Sequence, residues 1–177
     1  MEFFNRHKKP IIIILLVLTL TVTATMNAVL LPAITAEAGG LPCFDMRALG
    51  YSEQDAAAFL RALSARGRDL YLHAQLPLDF VYPVLYTLLF CALLTALRDK
   101  KTKWLALPLL LAVFDYGENI CLVRLLAAGV TAVPVALAST FTVVKSVLMY
   151  AVFAVILVLF WLRLMGKRKK KKAEPEK

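Results

Sequence analysis

PIIIILLVLTLTVTATMNAVLL, residues 10–31, is a run of 22 residues without a single charge. At about 1.5 Å per residue, a helix of that length covers the roughly 30 Å hydrocarbon core of a bilayer. Three more predominantly apolar stretches follow, at residues 75–97, 104–126 and 134–164. The composition agrees: 60% of the 177 residues are hydrophobic and the mean hydropathy is +0.72, whereas soluble domains average about 45–50% apolar residues. The expected fold is therefore all-α, a polytopic membrane protein built as a four-transmembrane-helix bundle. The rival for the first run is a secretory signal, since Ala36-Glu37-Ala38 offers an A-x-A pattern. A signal h-region is only about 7–15 residues long, so the expectation is that this segment stays on the chain.

The formal charge of +9 is concentrated beside these runs. Arg6, Lys8 and Lys9 precede the first. Arg98, Lys100, Lys101 and Lys103 join the second and third. Arg163 and the Lys-rich stretch from Lys167 end the fourth. Every lysine but Lys145 lies in one of these flanks. This is the distribution of the positive-inside rule rather than of nucleic-acid binding. It predicts a multi-pass protein of the cell membrane with a cytoplasmic N-terminus (1–9), a cytoplasmic loop (98–103), a short outer turn (127–133) and a basic cytoplasmic tail (165–177). The tail is expected to be disordered and to sit on anionic lipid. The expected partners are the lipid bilayer and, in one reading, another membrane protein; no nucleic acid is expected.

The outer segment 32–74 has four arginines, five acids and no lysine. Ser52 has the look of an N-cap, with Asp55 three residues on. Ala56, Phe59, Leu60 and Leu63 follow at helical spacing, so a short amphipathic helix is expected over about 52–66, ended by Gly67. Pro77 fits the first turn of the next span, whereas Pro83 should kink it. No CxxC, GxSxG or HExxH occurs, the two histidines fall on opposite sides, and neither a metal site nor a cofactor is expected.

Ionisable residues inside a bilayer cost about 2.5–3.5 kcal/mol each on insertion scales, which makes them candidates for function. Asp79, Asp115, Glu118 and Lys145 lie well inside the runs. Counting rises, Asp115 is about 16 Å past Trp104 and Lys145 about 16 Å past Pro134, so both reach mid-bilayer. Lys145 should pair with Asp115 or Glu118. Asn27, Tyr82, Tyr86 and Asn119 fall on polar stripes expected to converge with them in a pocket open to the outside. Arg66 and Arg68 are candidates for lipid phosphate.

Three readings follow. The pocket binds or transports a small cation, a proton or a lipid headgroup; or the charges are structural in an accessory subunit of a membrane complex; or Asp115 or Glu118 acts as general acid or base in an intramembrane lipid-modifying enzyme. The segments GRDLY (67–71), LDFVYP (78–83) and FDYGEN (114–119) together resemble small bacterial membrane proteins of four spans. That resemblance implies the four-span layout and carries no function with it.

Overall fold

The computed structural model describes residues 2–97, 103–130 and 133–173. It is all-helical among those residues, and four of its helices are long and apolar enough to cross a membrane. The first is α1 (Glu2–Thr25) continued by α2 (Leu31–Glu37). A short α3 (Glu53–Ala62) follows, then α4 (Ala65–Leu70), which runs on into α5 (Leu76–Leu97). The third is α6 (Ala106–Ala128) and the fourth α7 (Val135–Ala173). α1 packs on α5, α5 on α6 and α7, and α6 on α7.

The long helices extend beyond their apolar runs, and two prolines show how. Pro32 and Pro77, expected at a loop and at a helix start, both lie within continuous helix. A proline lacks the N–H that would bond the carbonyl four residues back, and its ring collides with that carbonyl. Here the carbonyls are those of Ala28 and His73. Each sits in a widened π turn, Met26–Leu30 and Tyr71–Gln75, that gives the ring room. The two π turns pack against each other. The tail corrects a second expectation, since α7 stays helical to Ala173. Lysine is a good helix former, and extending an existing helix avoids the cost of nucleation. The loop 98–103, apart from Lys103, and residues 174–177 lie outside the described residues.

Residues 38–64 fold into a cap over one end of the bundle. Ser52 and Asp55 form a reciprocal capping box that starts α3. The helix stops at Ala62, and Ser64 caps α4 directly by accepting the Gly67 N–H at 3.0 Å. Gly67 is thus not a terminator. It is a buried residue of α4, where a Cβ would come within 2.6 Å of Glu37 Cβ and 2.7 Å of Leu63 Cδ1. Its missing side chain lets α4 meet α2. Phe44 forms the centre of the cap, with ring centroids 4.9 Å from both Phe59 and Tyr51. Gly50, at φ +88, brings the chain against α7, where the Tyr51 N–H donates to Ser139 Oγ at 2.8 Å. A second apolar cluster around Tyr86, Phe90, Leu111 and Val152 fills the other half of the bundle. Between the two lies a polar layer.

Candidate functional site

α6 carries Asp115, Glu118 and Asn119 on one face, all with 1% exposure or less. Gly117 is the residue that admits α7 here, because a Cβ at this position would meet the Phe141 ring at 2.9 Å. That close crossing sets Lys145 between the two acids. Its Nζ is 3.2 Å from Asp115 Oδ1 and also contacts Glu118 Oε2. Lys145 therefore serves both acids rather than one. Tyr86 of α5 donates to Asp115 Oδ2 at 2.9 Å, and Thr142 of α7 donates to Glu118 Oε1 at 2.5 Å. Tyr82 stacks edge-on against Tyr86, with centroids 5.0 Å apart, and its hydroxyl faces Thr23 of α1.

Asp79 joins through its backbone as well as its side chain. Pro83 stands four residues later and has no N–H for the Asp79 carbonyl. Asn119 Nδ2 donates to that carbonyl instead, at 2.8 Å. The proline that opens α5 thus ties α5 to α6 at the level of the acids.

Two residues that the sequence did not single out complete the layer. Asp45, on the 3-10 turn Phe44–Met46 of the cap, accepts the Tyr71 hydroxyl through Oδ2 and lies in hydrogen-bonding reach of the Asp79 carboxyl. Gln75, in the second π turn, is completely buried. A run of polar atoms here lacks any hydrogen-bond partner among the described residues: both side-chain atoms of Gln75, Asn119 Oδ1, Asp79 Oδ2 and Asp45 Oδ1. A buried polar atom left unpaired costs about 1–3 kcal/mol, so a row of them needs a physical reason. In the cap beside them, burial pushes the Cys43 thiol up to about 11 and raises the Tyr51 phenol, which Glu118 reinforces.

Other expected members lie elsewhere. Asn27 is exposed, and its Nδ2 donates to the Thr23 carbonyl at 3.0 Å. The α-helix itself satisfies the amide, so nothing turns it inward. Arg66 is exposed and lies 3.7 Å from Glu37 Oε1. Arg68 is half-buried and donates to the carbonyls of Leu126, at the end of α6, and of Leu60. It closes a helix C-terminus and stays out of the acid cluster. No group of three or more metal-ligating side chains occurs among the described residues.

Fold and site together define a class: a bundle with four helices able to cross a membrane, built around a few buried charged residues. Comparison with models of known protein families, with curated proteins and with solved structures found no match.

Proposed function

We propose that the chain is a multi-pass protein of the cell membrane, with both termini in the cytoplasm, that takes up protons at this cluster and passes them across the bilayer. The observation that carries the reading is the imbalance of the layer. Asp45, Asp79, Asp115 and Glu118 meet a single lysine, Lys145. Carboxylates in excess of their cations inside a low-dielectric bundle need a compensating positive charge. The unpaired atoms have essentially no surface open to a water-sized molecule. Among the small cations, protons and lipid headgroups that could supply that charge, the proton is the one that needs no such space.

Orientation follows the basic residues. Arg6, Lys8, Lys9, Lys103 and Arg163 gather at the end opposite the lysine-free cap. The positive-inside rule then puts the cap outside. α3 lies in this outer segment with Ala56 and Phe59 inward and Arg61 outward, so it is the amphipathic helix of the outer face. Arg66 faces the headgroup layer there, and anionic lipid gathers at the basic tail.

Reconstitution into vesicles of phosphatidylcholine and phosphatidylglycerol tests the proposal. With a potassium diffusion potential imposed, an entrapped pH dye should report proton entry faster than in empty vesicles. Glu118→Gln should abolish it. Wild-type vesicles no leakier than empty ones would sink the transport reading.

One feature favours a second reading, an accessory subunit with structural charges. Tyr150, Phe153, Leu157 and Trp161 form an exposed stripe on α7, at 69%, 47%, 66% and 61% exposure. Such a stripe suits another membrane helix as well as it suits lipid.

A further inference from the structure

Lys145 serves only half of the cluster. Asp45 and Asp79 form the other half, and no ion pair reaches either of them among the described residues. Arg47, two residues from Asp45, is engaged by the Pro42 carbonyl at 3.1 Å and by Asp55 at 3.6 Å. Arg68 is held by the carbonyls of Leu126 and Leu60. Tyr71 occupies Asp45 Oδ2. That leaves one oxygen on each carboxyl, Asp45 Oδ1 and Asp79 Oδ2, buried and without a partner although the two groups adjoin.

Two ionised carboxylates offer each other only acceptors, and side by side their charges repel. One proton between them turns the same contact into a short charge-assisted hydrogen bond. We propose that Asp45 and Asp79 are a carboxyl pair that holds one proton between them, and that this pair is the proton-binding site on the cap side of the cluster. It deepens the proton reading above by naming where the proton is held.

The surroundings fit. Tyr71 faces the pair from the π turn, Cys43 and Tyr51 from the cap, Asp115 and Glu118 from α6, and Lys145 from α7. The acids and the lysine oppose each other in their effect on the pair, and Tyr71 supplies a donor to the shared state. Asp79 is 2% exposed while Asp45 is half-buried, so the proton exchanges with solvent through Asp45. Asp45 belongs to the cap and Asp79 to α5, so the proton also fastens the cap to the bundle.

Infrared spectroscopy of the purified protein in lipid, titrated with base, reads the pair directly, because a protonated carboxyl has a carbonyl stretch that a carboxylate lacks. A component of that band should persist at pH values where an exposed aspartate is ionised. It should vanish in Asp45→Asn and in Asp79→Asn alike, and survive in Glu118→Gln. Absence of the component in the wild type, or its persistence in either Asn variant, overturns the pair.

A second readout covers a variant that folds poorly. In a Cys91→Ala/Cys121→Ala background, maleimide reaction at the fully buried Cys43 follows the lifting of the cap. Asp79→Asn keeps a donor toward Asp45 at every pH. Above the transition it should label about tenfold more slowly than the aspartate, and equal rates would count against the proposal. Neither readout needs transport. Proton flux without the band removes the pair and leaves the proton reading standing, and the band without flux does the reverse.

Discussion

Lys145→Met removes the cation shared by Asp115 and Glu118 while keeping a chain of similar length. Breaking a buried ion pair by removing one partner costs about 3–5 kcal/mol. The lysine side chain keeps 16% exposure, and each acid retains a hydroxyl donor, Tyr86 or Thr142. Those facts put the loss near the lower end, about 3 kcal/mol. For a chain of this size about 1 kcal/mol moves Tm by roughly 2–4 °C, so the drop should be about 6–12 °C. Adding Glu118→Gln should restore about 2 kcal/mol of it, because the charge goes and the amide oxygen still accepts from Thr142. Asp115→Asn should restore a comparable amount, since Asp115 is as deeply buried and its amide would still accept from Tyr86. The assay is thermal unfolding in detergent of the single and double variants. Losses that add to within about 0.5 kcal/mol would mean that Lys145 is not coupled to either acid, and would refute this account of the cluster.

Topology has its own test. A Leu49→Cys substitution, at a site 97% exposed on the cap, should label from outside intact cells in a cysteine-free background, whereas native Cys43 should stay protected; a reporter fused after Lys177 that appears outside would reverse the orientation. Gly67→Ala should cost about 1–3 kcal/mol in Tm measurements through its clash with Glu37 and Leu63; an unchanged Tm would show that α2 and α4 are not in close contact. The Asp55 carboxyl is held below its usual range by the Ser52 hydroxyl and N–H. Its contribution is present above the ordinary aspartic pKa and is lost as pH falls through the lowered one, so Asp55→Asn should flatten the acid limb of a Tm–pH curve. A limb of unchanged slope would argue against the capping box.

Much of the bundle was legible because span length and charge placement are local properties. The level of residues along the helices was legible too: rises counted from Trp104 and Pro134 put Lys145 beside Asp115, and the two lie 3.2 Å apart. Facing was harder to read. Asn27 looked like part of an inward stripe, but a helix offers Asn and Thr the carbonyl four residues back and so removes the need to turn inward. Pro32 and Pro77 looked like boundaries because proline usually marks one; the π turns that absorb them leave no local signal. Asp45 was lost in a loop, since its contacts with Tyr71 and Asp79 span distances in sequence that no periodicity records. One signal did exist: Pro83 leaves the Asp79 carbonyl without its helical N–H, and a polar side chain on a neighbouring helix, here Asn119, can supply the donor.

The packing of α6 on α7 bears on how such a chain is made. The third long helix is the least apolar of the four, and it holds Asp115 and Glu118. Their lysine is on the helix that leaves the ribosome after it. On the membrane reading, the third helix emerges with two carboxyl groups in mid-helix and its own cation, Arg124, only near its far end, a poor candidate for entering lipid alone. It should wait at the insertion channel until α7 arrives and then partition with it as a hairpin. A nascent chain cut short before Lys145 would leave that helix stranded in the channel or slipping back into water.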